Sequence, residues 1–216
     1  MKIEVKSLSV GTGNENRILL RGFDLSCEPG SITTLMGPSG CGKSSLLAAI
    51  AGLPVSGLEA DIKVELSGQR VDHLPTSQRR IGLLFQDDLL FAHMSVRENL
   101  LFAVPRGSKT ERLQQADAAL LELGFSDMAH RNPLTLSGGQ RARVSLMRTL
   151  LAKPQALLLD EPFSKLDVAL REQFRQFVFT HVSRLQLPTL LVTHDAADIA
   201  DTARVIDFEK LSVANA

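Results

Sequence analysis

A chain of 216 residues fits one domain of ordinary size or two tightly joined lobes, and 44% hydrophobic residues suffice for a core. The 24 basic and 24 acidic side chains cancel, which argues against a dedicated nucleic-acid binder, since that function needs an excess of Lys and Arg. Cys27 and Cys41 make no disulfide framework and read as free thiols of a reducing compartment. The longest strongly apolar stretch, Leu46 to Leu58, is broken by Gly52, Pro54 and Gly57 and is too short to span a bilayer. Met1 to Lys6 lacks the apolar core of a signal peptide. A soluble chain, able to dock onto a membrane protein, is expected.

Taken in order, Ile3, Val5, Leu8 and Val10 predict a first strand, Gly11 to Arg17 a turn, and Ile18 to Cys27 a second strand. Ser31 to Met36 predicts a buried strand, Lys43 to Ala51 a helix, Asp61 to Leu66 a strand closed by a Ser67-Gly68 turn, and Ile81 to Phe85 a short core strand. From about Asp87 to Gly139 helical periodicity takes over. Helices are expected over Ser95 to Leu101, opened by the capping box Ser95-Val96-Arg97-Glu98, and over Thr110 to Leu123. Gly138 to Leu151 predicts a helix, Ala156 to Leu159 a fully apolar strand, Val168 to Leu185 a long helix and Thr189 to Thr193 a strand. A short helix over Ala196 to Ala203 and a last strand over Arg204 to Phe208 close the chain. Strands alternating with helices imply a mostly parallel, covered sheet, with the chemical motifs each just after a strand.

Two segments carry chemistry at once. Gly37-Pro38-Ser39-Gly40-Cys41-Gly42-Lys43-Ser44 is a full phosphate-loop match, with a strand before it and a helix after it. Its glycines let backbone amides converge on anionic oxygens at a helix N-terminus, Lys43 is placed to neutralise the β- and γ-phosphates, and the Ser44 hydroxyl to ligate Mg²⁺. Ser45 extends the loop into the helix. The strand ending in Asp160-Glu161 aims the first carboxylate at the metal and leaves the second to polarise a water for in-line attack. Alone, that acidic pair also reads as a helix cap.

With Leu136-Ser137-Gly138-Gly139-Gln140 added, the chain resembles the nucleotide-binding subunit of an ATP-binding-cassette transporter over essentially its whole length. The order of motifs fits: phosphate loop, Gln86, LSGGQ, Asp160-Glu161, Ser164-Lys165-Leu166-Asp167, His194. The resemblance implies an α/β phosphate-loop fold with a RecA-like core, an N-terminal antiparallel β region and an inserted helical subdomain. Residues 1–86 and 141–216 would form the β region and core, and about 87–140 the helical subdomain. It implies an ATPase that uses ATP and Mg²⁺. Gln86 would sense metal and attacking water, His194 would contact the γ-phosphate, and metal would be held by Ser44, Gln86 and Asp160. Ser137, Gly138, Gly139 and Gln140 of one copy would close over ATP held by a second, with Asp167 at that head-to-tail interface. Opening the dimer would move a membrane permease at the cytoplasmic face, working with a solute-binding protein. Leu89, Leu90, Phe91 and Met94 would receive a helix of the permease.

The pattern departs from the family in three places. No aromatic residue stands near Val10 to stack on adenine, Lys165 replaces a usually small residue, and Ser45 stands where Thr is common. An importer motor is the preferred reading. An exporter or lipid-handling ATPase and a non-transport cassette protein are the alternatives, while a small-molecule kinase leaves LSGGQ unexplained.

Overall fold

The computed structural model describes residues 1–12 and 15–213. Its strands and helices fall in two compact units. The first comprises Met1–Leu83, Gln155–Glu161 and the chain from His181 onward; the second comprises Leu84–Pro154 and Pro162–Thr180.

In the first unit β1 (Lys2–Thr12), β2 (Glu15–Ser26), β4 (Leu58–Leu66) and β5 (Gln69–Arg70) form an antiparallel sheet in the order β2-β1-β4-β5. Period-two patterning places Ile3 and Val5 on one buried face of β1, opposite Leu25 and Phe23 of β2; the register of β1 against β4 shifts between Val5 and Ser7, and Leu8, out of that period, is buried opposite Leu20. The pairing continues through Gly11↔Asn16 and Thr12↔Glu15. The expected turn over Gly11 to Arg17 is therefore mostly strand, because a long hairpin pairs polar residues as readily as apolar ones through the backbone. Gly13 and Asn14, the middle of that turn, lie outside the described residues.

The second sheet has the order β6-β7-β8-β3-β9, built from β3 (Ile32–Met36), β6 (Ile81–Leu84), β7 (Ala156–Asp160), β8 (Thr189–Thr193) and β9 (Val205–Asp207). β7, β8, β3 and β9 pair in parallel. β7 and β8 are buried on both faces, which is why they read as unbroken apolar runs. Between the sheets lies α1 (Lys43–Ala51), apolar all round, with Leu46, Leu47 and Ile50 at most 1% exposed. Each such side chain contributes roughly 1.5–3 kcal/mol by leaving water. Leu35, Leu158, Leu190, Val192 and Phe208 complete the same core.

The second unit packs α2 (Val96–Ala103), α3 (Lys109–Leu123) and α4 (Gly138–Leu151) around Val96, Leu100, Ala116, Leu120, Val144 and Met147. The expected capping box opens α2: the Ser95 hydroxyl accepts from the Glu98 amide while the Glu98 carboxylate accepts from the Ser95 amide. α5 (Val168–Arg184) sets Phe174 edge-on to buried Phe163, with ring centroids 5.8 Å apart.

Three further expectations change. Ala196 to Ala203 is not one helix but two 3-10 turns, Ala196–Asp198 and Thr202–Arg204, each opened by an aspartate cap, Asp195 and Asp201. Phe208 does not extend the last strand: it begins α6 (Phe208–Val213), with its own side chain fully buried. LSGGQ follows a 3-10 turn, Pro133–Thr135, rather than a strand.

Candidate nucleotide and hydrolysis site

β3 ends at Met36 and the chain turns through Gly37 to Gly42 into α1. Gly42 is the N-cap at φ 114°, and a β-carbon there would stand 2.9 Å from Leu19 Cδ1, so the turn admits no side chain. The helix start has no side-chain cap and no acidic residue in its first turn, leaving its amides and partial positive charge unopposed. Lys43 is only 4% exposed. Its Nζ donates to the carbonyls of Gly37 at 2.8 Å and Pro38 at 2.7 Å and lies 3.8 Å from Cys41 Sγ. Pro38, Ser39 and Gly40 are exposed, and Cys41 and Ser45 are half-buried. A buried ammonium beside uncapped amides fits the oxygens of a polyphosphate.

The Ser44 hydroxyl donates to Asp160 Oδ1 at 3.0 Å. Burial pushes the Asp160 carboxyl above its usual pKa, opposed by that hydrogen bond, and the neighbouring Glu161 adds to the rise. Hydroxyl and carboxylate oxygens form a hard donor pair of the kind Mg²⁺ takes, with substrate oxygens and water completing the shell. A cation there would offset the burial that disfavours the ionised acid.

Glu161 has φ 46°, unusual for a residue with a side chain, and its amide donates to Val192 O at 3.0 Å. Its Oε2 lies 3.1 Å from His194 Nδ1. The parallel register that pairs Asp160 with Val192 brings the two strand ends, and so the two side chains, together. Sequence spacing gave no hint of this pair. Two more residues were missed. Thr193 Oγ1 donates to Asp198 Oδ2 at 2.7 Å and accepts from the Asp195 amide at 3.1 Å, so the turn carrying His194 is tied to an aspartate only 2% exposed. A Thr-His-Asp run followed by another acid was the only available signal. The first unit thus gathers Gly37 to Ser45, Asp160, Glu161 and His194.

The second unit gathers the remaining candidates. Gln86, exposed and two residues past β6, donates from Nε2 to Ser164 Oγ at 3.0 Å. Ser137 is the N-cap of α4: its hydroxyl accepts from the Gln140 amide at 3.3 Å, and Gln140 Oε1 accepts from the Ser137 amide at 2.9 Å. The signature is therefore a capping box, and the Gly138 and Gly139 amides are those left for an anion. Gly139 is close-packed, with Leu170 Cδ2 3.1 Å from where a β-carbon would stand. Asp167 caps α5, its carboxylate accepting from the Leu170 amide at 3.0 Å.

Leu89 is 54% exposed, while Leu90, Phe91 and Met94 are half-buried. Phe91 lies edge-on to the exposed Phe102 at 4.8 Å and beneath the Arg148 guanidinium at 5.1 Å. Phe102 and the fully buried Asn99, which bonds the Phe91 amide and carbonyl, were not anticipated.

Fold and site define a phosphate-loop nucleotide-binding protein of the α/β class. Residues 20–164 match the model of the ABC transporter family, and the chain belongs to that family of ATPases. It is 49% identical over 195 residues to the uncharacterized ABC transporter ATP-binding protein YnjD of Escherichia coli (strain K12), covering 90% of each chain. It is 39% identical over 198 residues to the Fe(3+) ions import ATP-binding protein FbpC of Brucella abortus (strain 2308); the match takes in 88% of this chain but 55% of that longer relative. Among solved structures, the ATP-binding cassette MJ0796, dimeric in a post-hydrolysis state with ADP and Pi, superposes with a TM-score of 0.74 at 28% identity, covering 92% of this chain and 90% of that one.

Proposed function

We propose that the chain is the ATP-hydrolysing motor of an importer. It would work as a head-to-tail homodimer on the cytoplasmic face of a membrane, with a separate permease and a solute-binding protein, and without nucleic acid. The observation that carries the hydrolytic part is the pairing of Glu161 with His194 at 3.1 Å, one residue beyond the Ser44–Asp160 contact. Import is supported by the similarity to an iron-import ATPase. Among the described residues no helix is long and apolar enough to cross a membrane, so the path for solute would belong to the partner.

In this reading the loop amides of Gly37 to Ser45 and the Lys43 ammonium bind the phosphates of ATP. Ser44, Asp160 and Gln86 would hold Mg²⁺, which when bound neutralises developing charge on the phosphate oxygens. Glu161 takes the proton of the attacking water. Its contact with His194 Nδ1 leaves Nε2 to face the terminal phosphoryl group. The helical subdomain, about residues 87–140, would present Ser137 to Gln140. The Gly138 and Gly139 amides then meet the γ-phosphate held by the other copy, with Asp167 beside them. Leu89, Leu90, Phe91 and Met94, joined by Phe102, receive the permease.

Glu161→Gln tests the centre of this reading. The variant keeps the carboxylate's shape as an amide but cannot accept a proton, so ATP binding persists while phosphate release falls by about 10²-fold or more. Turnover near that of the parent chain would remove Glu161 as the base.

A further inference from the structure

Lys165 departs from the family pattern, and the structure gives it a partner. Its ammonium pairs with the Asp87 carboxylate. One residue earlier on each loop, Gln86 Nε2 donates to Ser164 Oγ at 3.0 Å. Consecutive residues of one loop thus meet consecutive residues of the other, 86 with 164 and 87 with 165.

Both loops are anchored behind these contacts. Asp88, next along the first, accepts from Arg141 Nε at 3.0 Å through its carboxylate and from Ser145 Oγ at 2.7 Å through its carbonyl. Arg148 Nη1 holds the following carbonyl, Leu89 O, at 2.9 Å. On the second loop the Leu166 amide closes a turn onto Phe163 O at 3.2 Å, and Phe163 is fully buried. The exposed tip between these anchors, Gln86 and Asp87, is what the two polar contacts hold. Asp87 and Asp88 are adjacent carboxylates that repel each other. A cation from each side, Lys165 and Arg141, offsets that repulsion.

We propose that Lys165 is a positioning residue for Gln86: its pair with Asp87 keeps the clasp shut, Ser164 holds the Gln86 amide by its nitrogen, and Oε1 is the atom presented to metal and attacking water. This rests on the role given to Gln86 above. An exposed glutamine with three free torsions samples many positions, and holding it ready removes an ordering cost from the catalytic step. An exposed ion pair contributes little to stability, so the clasp acts on turnover rather than on folding.

The test is steady-state ATP hydrolysis by the full chain, with thermal melts alongside, for Lys165→Glu, Asp87→Lys and the double variant carrying both. Each single reversal is expected to lower kcat by about tenfold with KM for ATP changed by less than about twofold. The Mg²⁺ concentration giving half-maximal rate at saturating ATP should rise, and Tm should stay within about 2 °C. The double variant restores the pair with opposite sign and should return to within about threefold of the parent kcat. Ser164→Ala should reproduce the loss in kcat. Single variants with unchanged kcat and Mg²⁺ dependence would overturn the proposal. So would a double variant as slow as the singles, because Lys165 would then be acting on phosphate or on a second copy rather than on Asp87. Gln86→Ala and Glu161→Gln separate the two levels: if both are impaired while the Lys165 variants are not, the clasp alone fails. If Gln86→Ala matches the parent, the role of Gln86 fails with it.

Discussion

Asp72 illustrates how one side chain is held by its surroundings. Its Oδ1 accepts from the Val64 amide at 3.0 Å and from Arg70 Nε at 3.3 Å, and its Oδ2 accepts from Arg70 Nη2 at 2.7 Å. The Arg70 hydrogen bonds outweigh partial burial and lower the carboxyl from 3.8 to about 2. The folded value lies below the unfolded one, so the ionised group favours the folded state above about pH 4, and that contribution is lost as pH falls from 3.8 toward 2. Asp72→Asn is expected to melt at lower temperature near pH 7, with the gap narrowing below about pH 4 and closing near pH 2. Melts across that range check it; a gap independent of pH would assign the effect to shape rather than charge. The same scale shows why Glu161 was readable as a motif but not as half of a pair. Its partner is set by the register of two parallel strands, which no local spacing reports.

At the scale of elements, α1 is a nine-residue helix with no basic residue in its last turn. Isolated, so short a helix is marginal. Gly52, in the left-handed region, closes its C-terminus locally, with the Gly52 amide donating to Ala49 O and the Leu53 amide to Ala48 O, and Arg79 adds a tie from outside. Nη1 donates to Ala49 O at 3.0 Å and Ile50 O at 2.8 Å, Nη2 to Asp72 O at 2.6 Å and Nε to Leu74 O at 2.9 Å. One guanidinium ties the phosphate-loop helix to the segment after β5 and places a cation at the helix's negative end. Arg79→Lys keeps the charge but cannot span these carbonyls, and is expected to lose about 2 kcal/mol. Urea unfolding should show a lower midpoint at unchanged slope. A midpoint equal to the parent's would mean that the guanidinium fork adds nothing beyond its charge and the Gly52 cap.

For the whole molecule, the decisive question is whether two copies share a nucleotide in the way proposed above. Lys43→Ala should lose ATP binding in its own loop but keep its signature, and Ser137→Arg should keep the loop but block the signature at the helix start. Each alone should be inactive. Mixed in equal amounts they can form one complete composite site per heterodimer, so hydrolysis should reappear at up to about a quarter of the parent rate: random pairing makes half the dimers mixed, each with one site of two. A mixture as inactive as its parts would argue against head-to-tail sharing.

The sequence by itself determined the phosphate loop, both ends of α1 and α4, the apolar strands leading to Asp160 and His194, and membership of a cassette family. These rest on local signals: glycines at a strand-to-helix turn, a capping box, and unbroken apolar runs that only a doubly covered strand explains. The tertiary structure alone decided that Glu161 meets His194, that Arg79 ties the end of α1 to the segment after β5, and that Lys165 faces Asp87. Each of these contacts joins residues on different strands or loops. Side-chain pairing across elements depends on register and packing, which a linear pattern does not encode, whereas a turn, a cap or a buried strand is fixed by neighbours along the chain.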